Sequence, residues 1–373
     1  MIETRRVTSL DGLRGWAALS VMFCHMMQLS PPIWAAFSSV SHRGWPYHSF
    51  AEVLTFSPLH LFWAGGEAVA LFFVLSGYVL SAAFWAGGNP AYKGFLIRRV
   101  FRIYPAFLIV CVLAWLAAKV ISQHPAPGTS AWFFQYWKKP NGLDELIPAV
   151  FMGFGPHLNL IPPTWSLVCE IRISVIFPCL IWLMRRAGFW LFPVAVIVSA
   201  AFKLAEQKLH ADPAATLWLT TGAQLWLFVL GAELNRRTPW LMERARSMPP
   251  AAAWAVFTVG LLMLIARWVA PLPLPVCYFL SGLGAGVLIV VAIIGGPVTH
   301  MLDSRLSQTL GKLSYSLYLL HFPVLAALVY GLTPWLPLWV ALVLTPPMTL
   351  ALAAVSQAFI ERPFIRLGRT LAG

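Results

Sequence analysis

Apolar residues along this chain come in long blocks rather than in short alternating runs. Ten of the blocks approach or exceed the ~20 residues that a helix needs to cross a bilayer core. They fall at 9–29, 59–85, 100–121, 164–184, 188–205, 214–234, 251–269, 272–294, 309–330 and 336–358. Pro271, Pro273 and Pro275 separate the seventh block from the eighth. The pattern predicts an all-α fold: a polytopic membrane helix bundle of about ten transmembrane helices, forming one integral-membrane domain over 1–373. No internal repeat or low-complexity tract interrupts it.

The polar breaks between the blocks add an orientation. With the N-terminus in the cytoplasm, eighteen of the 26 Lys and Arg residues fall on the inner side and six on the outer. Lys119 and Arg172 lie inside blocks. Positive charge is retained on the cytoplasmic side of membranes, so both termini are expected to be cytoplasmic and the number of spans even. The same distribution explains the net charge of +13 without nucleic acid, because the basic residues sit in short loops between apolar blocks. With 59% hydrophobic and only 10% charged residues, and a mean hydropathy of +0.75, a soluble globular domain is excluded. Cys24, Cys111, Cys169, Cys179 and Cys277 each lie in a predicted helix. Their spacing suits neither a metal site nor a disulfide framework, and no metal is expected. Met1–Thr8 is short and polar, and no cleavable leader is expected there.

Two long outer loops, 30–58 and 122–163, are rich in aromatic residues and histidine: Trp34, His42, Trp45, Tyr47, His48, Trp132, Phe133, Phe134, Tyr136, Trp137 and His157. An interfacial aromatic belt explains most of them. Stacking on a sugar is the second reading.

The first block breaks the apolar rule in an informative way. It holds Asp11, Arg14 and His25 among residues otherwise suited to lipid. Ionisable groups at membrane depth are costly and mark function by default. Ten residues separate Arg14 from His25. Eleven helical steps are close to three turns, so both side chains share a face about 16 Å apart along the axis. A fixed cation at one end and a potential general base at the other suit a long ligand with an anionic head and a reactive tip, as in acyl-coenzyme A. Taken singly, Arg14 would also serve as a positive-inside anchor and His25 as a packed core histidine. Asp11, one turn before Arg14, is placed to pair with it.

The run LDGLRGWAALSVMFCH resembles the start of the membrane acyltransferase family 3, whose first helix carries an Arg–ten residues–His motif; Arg14 and His25 fall on it. Five further stretches extend the resemblance. Phe72-Phe73-Val74-Leu75-Ser76-Gly77-Tyr78 resembles a Phe-Phe-x-x-Ser-Gly-Phe motif, although Ala70 and Leu71 stand where relatives carry an acid. Glu67 remains as a separate intramembrane carboxylate. Arg98 to Pro105 resembles an Arg-x-x-Arg-Ile-x-Pro signature, with Arg99 and Arg102 on the arginines. Trp165-Ser166-Leu167-Val168-Cys169-Glu170 resembles Trp-Ser-Leu-x-x-Glu, with Ile171 and Ser174 departing from the usual continuation. Leu310 to Pro323 resembles the ninth-helix motif and puts Ser314, Tyr315, Tyr318 and His321 on one stripe. Phe359 to Phe364 is similar to the C-terminal signature.

The resemblance implies an O-acyltransferase. Its donor would be cytoplasmic acyl-CoA, most often acetyl-CoA, and its acceptor a hydroxyl of a surface carbohydrate or a lipid-linked glycan precursor. The membrane would be the bacterial inner membrane. Arg14, Arg99 and Arg102 are then the candidates for the coenzyme phosphates and His25 for the general base, with a covalent acyl-His intermediate as the alternative. Glu170 lies at similar depth to His25 and would orient it, or else pair with Arg172 or another buried cation. Ser76, Trp165, Ser166, Tyr315 and His321 are candidates to line the substrate path, with Trp165 and Ser166 as possible oxyanion donors. The competing class is a transporter or flippase whose buried Arg, His and Glu line a substrate path.

Overall fold

The computed structural model describes residues 7–39, 46–86, 90–121, 126–137, 142–143, 146–147, 160–209, 213–245 and 247–373. No strand occurs among these residues. Helix α1 (Thr8–Met27) is followed by α2 (Pro31–Ser38), α3 (Phe50–Phe56) and a 3-10 turn at Pro58–Trp63. Long helices α4 (Gly65–Trp85) and α5 (Tyr92–Val120) come next. Then follow α6 (Thr164–Ala187), α7 (Leu191–Lys208), α8 (Pro213–Ala223) and α9 (Leu225–Ala245). Helices α10 (Pro250–Leu264), α11 (Ala266–Val269), α12 (Leu274–Ile293) and α13 (Pro297–Leu302) lead to α14 (Arg305–Leu332). Helix α15 (Leu338–Ser356), a π-turn at Gln357–Glu361 and α16 (Arg362–Leu371) close the chain.

Seven helical segments among the described residues are long and apolar enough to cross a membrane. The chain is an integral, multi-pass membrane protein. The ten expected blocks relate to these seven in specific ways. Helix α1, interrupted by Asp11 and Arg14, is not one of the seven. The blocks at 164–184 and 188–205 lie in one segment, Thr164–Lys208, within which Gly188 takes a φ of 60° and turns the chain between α6 and α7. The block at 251–269 divides into the 15-residue α10 and the four-residue α11. The block at 59–85 starts later than expected. Ser57 caps a 3-10 turn by accepting from Leu59 N at 3.2 Å, and the helix itself begins at Gly65. Of the outer-loop aromatic and histidine residues named above, His42, Trp45 and His157 lie outside the described residues, as do the basic residues Arg5, Arg6, Arg43, Lys138, Lys139 and Arg246.

Helices α1 and α14 form the central pair. A Cβ at Gly15 would run into the backbone of Leu310 and Gly311, and one at Gly311 into the carbonyl of Asp11. Glycine on both sides lets the two backbones touch, the device membrane helices use where apolar burial gives no driving force. Side-chain bonds fix the register: Trp16 Nε1 donates to Ser307 Oγ at 3.0 Å, and Gln308 Nε2 to the Thr8 carbonyl at 2.8 Å. Helices α4 and α9 repeat the device, with Gly77 against the Phe228 carbonyl and Gly231 against that of Val74. The close approach at Gly77 is thus made by another helix. Around these pairs runs one large apolar core, and a smaller cluster of Cys24, Ile33, Phe56, Trp63, Ile265 and Trp268 closes the far end of α1.

Candidate active site

The face of α1 that carries Arg14 looks into a cavity of about 1000 Å³. Its walls come from α1 (Asp11, Arg14), α4 (Phe72, Phe73, Ser76), α5 (Arg99, Arg102), α6 (Ser166, Glu170), α14 (Lys312, Tyr315, Tyr318) and α16 (Arg362, Arg366, Arg369). With Arg236, eight Lys and Arg residues line it against three carboxylates, Asp11, Glu170 and Glu361. That excess, in a site of coenzyme size, selects for an anionic ligand. The cavity therefore unites Arg14, Arg99, Arg102, Ser76, Ser166, Glu170 and Tyr315, which are distant in sequence.

Within the wall the charges are not equivalent. Glu170 accepts a short charge-assisted bond from Arg99 Nη2, and a second from Ser76 Oγ at 3.0 Å. Arg99 Nε also donates to Ser174 Oγ at 3.3 Å, and Ser174 Oγ donates to the Glu170 carbonyl at 2.7 Å. Arg99 and Glu170 are thus a closed ion pair held by two serines. The expected contact between Glu170 and His25 is not made, because α6 turns Glu170 toward α4 and α5. Nor does Glu170 pair with Arg172. The Arg172 guanidinium lies 3.6 Å from the centre of the Trp218 ring and donates to Thr221 Oγ1 at 3.4 Å. Arg14 sits among the charges of Arg102, Glu170, Asp11 and Arg99, and Arg102 faces Glu361. Ser76 is committed to Glu170, whose carboxylate is itself held by Arg99, which leaves Ser76 a lining and anchoring role.

The far end of the cavity is closed by hydrogen-bonded side chains. Tyr318 Oη and Ser166 Oγ lie 2.6 Å apart, both also near the Pro163 carbonyl, and the Phe72 ring meets Tyr318 edge-on at 5.5 Å. Tyr315 donates to the Ile103 carbonyl at 2.5 Å. Trp165 packs edge-on against Phe73 at 6.1 Å and is not in the cavity wall.

One helical turn beyond Tyr318 lies the second centre. His25 Nδ1 is 2.8 Å from His321 Nε2, and His321 Nδ1 is 3.1 Å from the Leu317 carbonyl. The two imidazoles stack at 5.0 Å, and Trp132 lies parallel to His25 at 5.5 Å with 2° between the planes. Phe322 closes the edge at 5.9 Å. His321 is fully buried, whereas His25 keeps part of its surface open. Neither ring borders the cationic cavity among the described residues. The loop that carries Trp132 is tied to the end of α1, with Ser130 N donating to the Leu29 carbonyl at 2.7 Å and Ser130 Oγ to that of Gln28 at 2.6 Å.

A family model described as an acyltransferase domain matches residues 7–357. The chain belongs to this family. It is therefore an acyltransferase, and the cavity and histidine-pair residues described above, except those of α16 and Glu361, fall within the matched region. Among its relatives is the acyltransferase MdmB of Streptomyces mycarofaciens, 27% identical over 353 residues, covering 86% of this chain and 79% of that one. Nodulation protein 10 of Rhizobium leguminosarum bv. viciae is 25% identical over 388 residues, covering 97% of this chain and 94% of that one. YrhL of Bacillus subtilis (strain 168), named as a candidate peptidoglycan O-acetyltransferase, is 24% identical over 392 residues, with 96% of this chain and 55% of that one covered. No solved structure matches the chain.

Several features of the acyltransferase were not visible as site residues in its sequence. Trp132 reads there as one of many loop aromatics, yet it stacks on His25. The C-terminal arginines count in the sequence only toward the inner positive charge, yet Arg362, Arg366 and Arg369 recur at four- and three-residue steps and line the cavity. Glu67 is buried with its carboxylate accepting from Trp268 Nε1 at 2.8 Å, in the cluster beyond His25 rather than in the cavity.

Proposed function

We propose that the protein takes an acyl group, in the first instance acetyl, from cytoplasmic acyl-CoA and places it on a hydroxyl of a surface carbohydrate or a lipid-linked glycan precursor. The observation that carries this reading is the first helix itself. Arg14 at one end lines a cationic cavity, and His25, three turns on, ends in a neutral hydrogen-bonded imidazole pair. The family membership supplies the reaction class. The cytoplasmic side follows from the Lys/Arg asymmetry, with both termini inside, ten spans and the bacterial inner membrane as the setting.

In this reading Arg14 and Arg102 take the coenzyme phosphates, helped by Lys312, Arg366 and Arg369 on the same wall. Arg99 contributes less, because its charge is already met by Glu170. Glu170 acts by holding Arg99 and Ser76 in place. The pantetheine arm follows the α1 face toward His25, past the Tyr318–Ser166 bond that separates the two centres. His25 Nε2 takes the proton of the acceptor hydroxyl while the hydroxyl oxygen attacks the thioester carbonyl. The tetrahedral intermediate collapses by breaking the C–S bond, and His25 returns the proton to the departing thiolate. Direct transfer requires no bond between the acyl group and His25.

Purified protein reconstituted in liposomes, given labelled acetyl-CoA and a lipid-linked or polysaccharide acceptor, tests the reading. Label appearing on the acceptor supports it. Acceptor crossing the bilayer without acylation supports the transporter instead. Orientation is tested on a cysteine-free background. A cysteine at 335 labels with an impermeant reagent from outside and one at 240 does not; the reverse pattern overturns the inner coenzyme site.

A further inference from the structure

The His25–His321 contact has a direction, set by what lies behind His321. The Leu317 carbonyl can only accept a hydrogen bond, so His321 Nδ1, 3.1 Å away, carries the proton of its neutral ring. His321 Nε2 is then a lone pair. It faces His25 Nδ1 at 2.8 Å, so His25 Nδ1 must donate. The remaining nitrogen, His25 Nε2, is left as a lone pair with its ring held in one plane by Trp132 and Phe322. We propose that His321 is a positioning residue that locks His25 in its Nδ1–H tautomer and thereby makes Nε2 the base. This inference rests on the proposed acyl-transfer reading for its kinetic consequence, but not for its structural one.

The physical case for a second histidine, rather than the carboxylate that usually backs a catalytic histidine, lies in the surroundings. Carboxylate backing would place a charge among Phe322, Trp132 and Leu317, where desolvation of an incompletely paired buried ion is costly. Two neutral imidazoles meet each other's hydrogen-bonding needs with no net charge. Among the described residues the buried carboxylates Glu170 and Glu67 are committed elsewhere: Glu170 to Arg99 and Ser76, Glu67 to Trp268. In the reaction, the proton that arrives at His25 Nε2 makes an imidazolium whose Nδ1–H stays bonded to His321 Nε2. The same proton leaves with the thiolate, so His321 neither gains nor loses one. Its contribution is tautomer and orientation, which another acceptor at that point can supply.

The test uses full-length protein with 15N-histidine, in nanodiscs, assigned by loss of signal in His25→Gln. Nitrogen chemical shifts separate a protonated ring nitrogen from a bare one. The expected result is His25 in the Nδ1–H form in the wild type. In His321→Leu the tautomer shifts toward Nε2–H and the transfer rate falls about 10²-fold, with acetyl-CoA affinity unchanged. In His321→Gln, whose amide oxygen can accept from His25, the Nδ1–H form and most of the rate return. Wild-type His25 in the Nε2–H form overturns the proposal with no variant needed, which keeps it testable if His321→Leu does not fold. A folded His321→Leu that keeps the wild-type tautomer overturns it as well. So does a folded His321→Gln that is as slow as His321→Leu. If the tautomer behaves as expected but wild-type protein transfers no acyl group to any acceptor, it is the acyl-CoA reading that fails and not the role of His321 toward His25.

Discussion

The two ends of α1 solve the problem of polar groups in a membrane in opposite ways. At the Arg14 end, charges are concentrated in a cavity of about 1000 Å³ and compensated by one another or left for a ligand. At the His25 end, no formal charge is needed. Two imidazole rings and a carbonyl form a hydrogen-bonded chain flanked by Trp132 and Phe322. A donor with several negative charges can be held only at the first end. In the proposed reading, proton transfer from a hydroxyl belongs to the second, where the base is an imidazole rather than a fixed charge. One hydrogen-bonded layer, Tyr318 with Ser166, divides the two. Binding and chemistry are therefore expected to respond to different substitutions.

The largest expected effect is on stability at the charged end. Glu170→Ala leaves Arg99 buried without its counter-charge, which costs about 3–5 kcal/mol when a buried pair is broken from one side. The melting temperature of the detergent-solubilised protein should fall sharply. A double variant, Arg99→Met with Glu170→Leu, should recover much of the loss. Equal losses in the single and double variants would mean that the pair does not hold the wall together.

Arg14→Ala comes next. A hydrogen bond to a charged group contributes about 1.5–3 kcal/mol, so acetyl-CoA affinity should weaken about ten- to hundredfold in equilibrium binding, with the fold intact. Unchanged affinity would make Arg14 an anchor of topology only.

His60 sharpens the comparison from outside both centres. It lies in the 3-10 turn before α4, fully buried, stacked on Trp268 at 4.3 Å and packed against Trp63 at 4.2 Å. Neither of its ring nitrogens makes a hydrogen bond of normal geometry among the described residues. Burial lowers its pKa from 6.5 to about 3. The unfolded chain therefore takes up the proton first as pH falls. Stability from this residue is complete above pH ~6.5 and is lost progressively on the way to pH ~3. At pH 5 the loss is about 2 kcal/mol. Melting temperature should drop between pH 7 and 5 in the wild type, and less in His60→Phe. An identical drop in both proteins would remove His60 as its source. His60 is thus a packing element between Trp63 and Trp268, and the contrast shows what His321 adds to His25.

The sequence made some of this legible and hid the rest for a physical reason. The shared face of Arg14 and His25 follows from helical periodicity alone, since both lie on one helix. The membrane class follows from hydropathy. The partner of Glu170 did not follow, because 71 residues separate it from Arg99 and depth along a span does not say which way a helix face turns. His25 and His321 are 296 positions apart and are brought together by the pairing of α1 with α14, whose register no local pattern announces. The π-turn at Gln357–Glu361, which leads into the arginine face of α16, is equally silent in the sequence. Boundaries shifted where turn chemistry outweighed hydropathy, as at Ser57 before α4 and Gly188 after α6.

The division between binding and chemistry is tested most directly by measuring two quantities on one variant. His25→Gln keeps size and polarity but cannot act as a base. In reconstituted protein its affinity for acetyl-CoA should equal that of the wild type, while transfer of label from acetyl-CoA to the acceptor falls by ~10²–10⁴-fold, the usual contribution of a general base. Wild-type transfer by His25→Gln, or a loss of acetyl-CoA binding as large as that of Arg14→Ala, would contradict the separation of a charged donor site from a neutral catalytic pair.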